Sequence, residues 1–596
     1  MIRLEITDPA TGTVFVPHLP ASLSFEMLRE NPFFNRRGDY TYDIDISLRD
    51  PHNRAIYNHI NRLTATSRPQ NRRARLLCDG HVIADGTEVI LKLEGDMLKV
   101  QIVAGNSELN YLTADENLRI REMDFGTIPT PTNAMARQTA LKVFPDADYV
   151  FPQTIVDLAE VSQAHTFDDQ EEYENWQKRV YLNLCDISTG GNDVVYWEGT
   201  TLKPMPFVLY VVERFIQQLG YTVGSNELRN DERWCKLIII HGYDTLEIAR
   251  MLPDWTAAEF LSQIETFFNC IITVNPITRV VDIKSCQTFL TGTQTTEIRQ
   301  EDIVDDFERD YESDEVGFIH NYERLEYQLP GGEYWKRACL DKTVEQMCQK
   351  IEATLAQVDA MPIEDCQWKI FHNSSPDMEF VRIDERCPGT EEWADIYIRY
   401  IVNQFKPHGS TGETNTLKII PVRTEVGFGP SRICPVTELI EKKEDTAFKE
   451  AIGSSISETT LDNIQVCFYH FGTHGFGYNY DRTLYATQHT HPLCVTARDY
   501  VENVKGMFVH LPTYTGKENM TLELNGEHGL YNTHFRPLRA VNIEEGSKIR
   551  FRGRFGYDIV SPFLIHGRLF VCQQLKYTYK DGHQHPIVEG TFYPYL

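Results

Sequence analysis

The stretch Leu252-Pro-Asp-Trp-Thr-Ala-Ala-Glu-Phe-Leu261, continued by Phe267-Phe-Asn-Cys-Ile-Ile-Thr-Val274 and Arg279-Val-Val-Asp-Ile283, holds the clearest local structure in the chain. Thr256 followed three residues later by Glu259 is a capping box, so a helix starts there. Phe260, Leu261, Ile264, Phe267 and Phe268 then keep to one helical face. The β-branched run at 270–274 and the run at 279–283 flank the turn pair Asn275-Pro276, which reads as a hairpin. Just upstream, Pro206-Phe-Val-Leu-Tyr-Val-Val-Glu-Arg-Phe-Ile-Gln-Gln-Leu219 reads as a second helix, stopped by Gly220 as a C-terminal cap.

Outward from this unit the chain changes character twice. Residues 1–115 alternate apolar and polar at 2–6, 14–17 and 40–47, and the dipeptides Asp79-Gly80, Asp85-Gly86 and Gly95-Asp96 read as turns between short strands. One helix interrupts them: Asp50 caps it, Pro51 suits its first turn, and Ile56, Ile60 and Leu63 form its stripe. That pattern predicts an N-terminal β-barrel with one helix. Residues 116–270 are an α+β domain with helices near 206–219 and 256–269, a Pro-Thr loop at 127–133 and an acidic helix start at 168–177. Residues 271–430 hold second-barrel strands plus a mixed α/β insert, including a long helix near 342–358. Residues 431–596 are a β-rich C-terminal domain. The fold class is α+β and multidomain, and at ~150 residues per domain the 596 residues make about four.

Composition narrows the function classes. Lys plus Arg total 58 against 86 Asp plus Glu, a formal charge of −28, which argues against tight wrapping of nucleic acid. The Met1-Ile-Arg-Leu-Glu start has no signal-peptide character, and the longest apolar run, at 207–212, is too short to span a bilayer. The 13 cysteines are scattered and form no CxxC, which predicts buried free thiols.

No motif assigns catalysis. GxSxG, GxxxxGK[ST], HExxH and GxGxxG are absent, and Gly472-Thr-His-Gly-Phe-Gly477 reads as an aromatic-lined loop. Among His470, His474, His489 and His491, the pair His489-Thr-His491 places two imidazoles on one side of a strand, yet no carboxylate completes a ligand set. The run Glu301-Asp-Ile-Val-Asp-Asp-Phe-Glu-Arg-Asp-Tyr-Glu-Ser-Asp-Glu315 carries nine acids and lacks the spacing of a Ca²⁺ loop, so it reads as a solvated face or an electronegative lining. Arg36, Arg37, Arg62, Arg68, Arg72, Arg73 and Arg75 are its basic counterpart, read either as an inter-subunit contact or as mixed surface. Catalytic, cofactor-binding and metal residues are therefore none, and no cofactor is expected.

Two stretches carry a resemblance. Leu19-Pro-Ala-Ser-Leu-Ser-Phe25 with Asn31-Pro-Phe-Phe-Asn-Arg-Arg-Gly-Asp-Tyr-Thr-Tyr42, Asp50-Pro-His-Asn53, Ala74-Arg-Leu-Leu-Cys-Asp-Gly80 and Ala84-Asp-Gly86 resembles the opening barrel of phage tail hub proteins. The 252–283 stretch, with the helix before it, is similar to the helix–hairpin unit of the same class: baseplate hubs of contractile tails and tail-tip proteins of long-tailed phages. The resemblance covers about the first half of the chain. It implies a non-enzymatic homotrimer with two similar barrels per chain. Such a pseudo-sixfold ring joins a sixfold tail tube or distal tail protein to a threefold tip or spike. It also implies a place in the virion tail, assembly in the host cytoplasm, proximity to the host envelope, and DNA that passes through the lumen without specific binding. A negative lumen repels phosphates, which gives the acidic excess a role. Two other readings concern the C-terminal β region: a tail-tip cell-wall hydrolase using His489, or a host-glycan recognition module using Tyr478, Tyr480 and Tyr485.

Overall fold

In the computed structural model of the chain the described residues are 2–20, 22–34, 39–41, 43–65, 72–157, 167–187, 193–286, 295–305, 308–310, 324–328, 349–366, 369–374, 377–386, 393–399, 404–405, 414–422, 424–426, 433–437, 439, 462–478, 484–495, 501–504, 507–510, 522, 524, 529–535 and 546–595. Strands predominate. The largest sheet has 14 of them and draws on both ends of the chain. Its N-terminal part is β1 (Ile2–Thr7), β2 (Val14–Phe15), β3 (Ser24–Glu30), β4 (Asp39–Thr41), β5 (Ile44–Ser47), β6 (Arg73–Cys78), β7 (His81–Glu94) and β8 (Met97–Ala104). Helix α1 (Pro51–Ile56) precedes β6, and α2 (Asn106–Thr113) follows β8.

The strand order β2-β1-β6-β7-β8-β4-β3 passes directly to the C-terminal strands Arg568–Lys580, His583–Pro594 and Gly546–Arg552, and ends on Glu308–Asp310. β3 pairs antiparallel with Arg568–Lys580 from Ser24↔Lys580 to Glu30↔Gln574. No closed barrel is traced among the described residues. Alternation sets the faces: along β1, Ile2, Leu4 and Ile6 are buried while Arg3, Glu5 and Thr7 point away from the core. Asp50 caps α1 by accepting from His52 N at 2.8 Å. Two residues into the helix, the buried Asn53 side chain bonds the backbone of His18 and Ser47.

Three local expectations are corrected. Asp85-Gly86 is no turn: both residues lie inside the 14-residue strand β7. Glycine is needed there because a Cβ on residue 86 would stand 1.9 Å from the Val103 carbonyl oxygen of the neighbouring strand. Second, the helix expected at 342–358 is not formed over its described part. Gln349–Glu352 is a strand parallel to 369–372, and Thr354 caps only the short helix Leu355–Asp359. Local cap chemistry was present, but the preceding residues are committed to a sheet. Third, the glycine cluster at 472–477 is strand, within Ile464–Tyr478 and paired with Leu484–Val495.

The helix–hairpin unit forms as its sequence dictates. Thr256 accepts from Glu259 N at 3.1 Å, while the Glu259 carboxylate takes Lys418 Nζ at 2.6 Å instead of closing the capping box. Asn269, in the left-handed region, ends the helix Ala257–Phe268. Strands Cys270–Val274 and Val280–Ser285 follow, and the Asn275 side chain accepts from Ile277 N and Thr278 N in the turn. Thr222–Asn226 adds a parallel third strand after the helix Val208–Gln218.

Two large apolar cores result. One packs both helices against Trp234, Trp255 and the strands Leu237–Ile240 and Ile464–Tyr478; the other fills the 14-stranded sheet. The cysteines with described side chains form no disulfide with one another and are buried. Among the described residues no helix is long and apolar enough to cross a membrane.

Two buried histidines make stability depend on acid. Burial lowers His241 to about 4 and His534 to about 3. His241 Nε2 bonds the Pro204 carbonyl, and among the described residues its Nδ1 has no partner to hold a second proton. The unfolded chain takes up protons near pH 6.5, the native chain only below these lowered values, so stability falls as pH drops from 6.5 towards 4. His241 alone accounts for a loss on the order of 2 to 3 kcal/mol at about pH 4.5. The urea midpoint is expected to fall between about pH 7.5 and about pH 4.5, less steeply in His241→Phe; equal slopes refute the assignment.

Candidate functional site: the joint between sheet and helix–hairpin unit

Asn31-Pro-Phe-Phe34 lies beyond the end of β3, where the chain leaves the sheet. Asn31 is fully buried, and its side-chain nitrogen donates to Ile559 O at 3.1 Å and Cys572 O at 2.7 Å. Its side-chain oxygen accepts from Phe33 N at 3.1 Å, turning the chain so that Phe33 and Phe34 point inward. There they form one apolar cluster with Ile271 and Cys286 of the helix–hairpin unit and Val571 and Tyr593 of the C-terminal strands. Phe34 stacks on Tyr593 at 5.3 Å between ring centres. Replacing Asn31 by alanine strands two buried carbonyls and one N–H, and is expected to cost about 3 kcal/mol in urea unfolding. A loss under about 1 kcal/mol contradicts this role.

A second line of contacts crosses the same joint. Asp85 N donates to Pro276 O in the hairpin turn at 2.9 Å. The Asp85 carboxylate is held by Arg73 at 2.8 Å and by Arg75 at 3.1 Å, both of which are half exposed. Beside it Glu108, on α2, accepts from Thr87 Oγ1 at 2.7 Å, Arg279 Nη1 at 2.5 Å and Tyr221 Oη at 3.1 Å. The Arg279 guanidinium also lies 4.7 Å over the Tyr221 ring. Burial, then the Glu108 charge, pushes the Tyr221 hydroxyl far above its ordinary range, so it stays a donor. Asn106 completes the seam: it donates to Ile272 O at 2.6 Å and accepts from Val274 N at 2.9 Å, matching the edge of strand Cys270–Val274.

Of the arginines singled out by sequence, Arg72 is buried and donates from Nε and Nη2 to Glu88 Oε2, while Glu88 Oε1 takes the Tyr57 hydroxyl. Arg73 and Arg75 belong to the joint, Arg62 is exposed, and Arg36, Arg37 and Arg68 lie outside the described residues. They form no single patch. Acidic run 301–315 is described at 301–305 and 308–310. It starts along the basic strand Gly546–Arg552, with Asp305 2.8 Å from Arg550 and Glu308 opposite Lys548. In the strand pair Ile464–Tyr478 and Leu484–Val495, His489 is opposite His474 and His491 opposite Gly472; their side chains, and those of Tyr478 and Tyr485, lie outside the described residues, as does Tyr480. No group of three or more metal-capable side chains occurs among the described residues. Sequence reading missed Asp85, Asn106, Glu108 and Tyr221. A usable signal existed for Asp85, because a hairpin about Asp79-Gly80 sets it opposite Arg75.

No family model and no curated protein matches the chain. Among solved structures it is similar to the 43 kDa tail protein of prophage MuSo2 from Shewanella oneidensis, at 6% identity and TM-score 0.28, over 99% of this chain and 95% of that one. It is similar also to the tail protein from Neisseria meningitidis MC58, at 7% identity and TM-score 0.31, over 100% of this chain and 96% of that one. At such TM-scores neither likeness carries an argument about this chain.

Proposed function

We propose that the chain is a structural subunit of a phage or phage-derived tail, a hub that forms a trimeric ring. The ring joins a sixfold tube or distal tail protein to a threefold tip or spike, and acidic side chains line its channel for passing DNA. Each subunit brings two barrels to the ring, one from the N-terminal strands and one from the C-terminal strands that continue the same sheet. The subunit is carried in the virion tail after assembly in the host cytoplasm and does no catalysis. One observation supports this reading above the others. The stretches that resemble hub proteins are far apart in sequence yet converge on one joint: Phe33 and Phe34 pack on Ile271 and Cys286, and Asp85 bonds the Pro276 turn. Such convergence suits a rigid subunit whose two modules keep a fixed angle. Native mass spectrometry of the purified chain at micromolar concentration tests it, with three copies expected; a monomer overturns the ring.

A further inference from the structure

Self-association of a chain carrying −28 requires that the contact offset the repulsion between copies. The strand Gly546–Arg552 and the loop after it read Gly-Ser-Lys-Ile-Arg-Phe-Arg-Gly-Arg554, basic at every second position. Ile549 and Phe551 turn into the core, while Lys548, Arg550, Arg552 and Arg554 are exposed. Register carries the same face across the neighbouring strands, where Lys576 and Lys580 also point outward. The acids on this face are Glu26, paired with Lys576 at 2.9 Å, Glu589, and Glu30, which is buried; Asp305 and Glu308 join them at the rim. Arg552, Arg554 and Lys580 have no acidic partner among the described residues.

We infer that this basic sheet face is the contact onto which the acidic surface of a second copy docks. The inference rests on the ring proposed above and names the surface that closes it. The chain itself shows the chemistry in miniature: residues 303–305 and 308–310 lie along the same strand, with Val304 N bonded to Arg550 O at 2.9 Å and Asp305 on the Arg550 guanidinium. Each basic residue lies about 7 Å from the next along the strand, a spacing set by the two-residue repeat. A second copy supplies many exposed carboxylates to meet it. Duplex DNA is the rival occupant, and the overall charge of the chain opposes it at long range.

The test is the triple reversal Arg552→Glu/Arg554→Glu/Lys580→Glu, which leaves Arg550, Lys576 and the core untouched. An unchanged urea midpoint shows that it folds. Sedimentation velocity and native mass spectrometry are expected to show the oligomer weakened by roughly 100-fold, because like charges set face to face cost several kcal/mol. Wild-type association is also expected to weaken with added salt. An oligomer indifferent to the reversal overturns this contact while leaving the ring standing; a monomeric wild type overturns both. Loss of binding to a duplex oligonucleotide, with the oligomer intact, assigns the face to DNA and overturns the second-copy occupant.

Discussion

Glu108→Ala is expected to lower the unfolding free energy by about 4 kcal/mol, the cost of removing one member of a buried ion pair. The loss is large because three donors share that one carboxylate: Arg279, Thr87 and Tyr221. Without it the Arg279 guanidinium, four-fifths buried, has lost its acid at the seam between α2 and the hairpin. Glu108→Gln keeps acceptors for Thr87 and Tyr221 but not the charge, and about half the loss is expected. Because the residue ties two apolar cores together, its removal should also split one unfolding transition into two. Urea unfolding followed by both tryptophan fluorescence and far-UV circular dichroism reads both effects, since Trp234 and Trp255 report one of the cores and the dichroism reports both. A single transition with a parent-like midpoint contradicts the assignment.

The second large effect lies inside the N-terminal part of the sheet. Glu88→Ala leaves Arg72 buried without a counter-charge and takes the acceptor from the Tyr57 hydroxyl, at an expected cost of about 4 kcal/mol. Arg72 also donates to Ile56 O and lies over the Tyr57 ring at 4.7 Å, so the group locks α1 and its following turn to β7. An apolar triple replacement, Tyr57→Phe/Arg72→Met/Glu88→Leu, removes every buried charge at once. It is expected to return to within about 1.5 kcal/mol of the parent. If the triple variant is as unstable as Glu88→Ala, packing of these side chains matters more than their ionic pairing.

How much of this was legible in the sequence depended on range. Thr256, Asp50 and Asn275 act through bonds to residues two or three positions away, and each does in the structure what local chemistry predicts. Arg72 read as surface because its partner Glu88 is a cross-strand neighbour, hidden once Asp85-Gly86 is taken for a turn. Glu108 was beyond reach in a different way. Its partners Tyr221 and Arg279 sit on another module, and no periodicity within either segment encodes that meeting. The run of four alternating basic residues at 548–554 was fully visible, yet the acidic total drew attention to the opposite sign.

The pairing of Ser24 with Lys580 has a consequence for synthesis. β3 leaves the ribosome long before its permanent neighbour Arg568–Lys580, so the N-terminal part of the sheet keeps an open edge until that strand is made. Contacts of such sequence separation form slowly, and an open edge meanwhile invites pairing with other chains. A chain truncated before residue 568 therefore never completes its sheet, and accumulates as insoluble material rather than as a partly built subunit. Pairing of Arg568–Lys580 with β3 thus acts as a checkpoint on translation through residue 580.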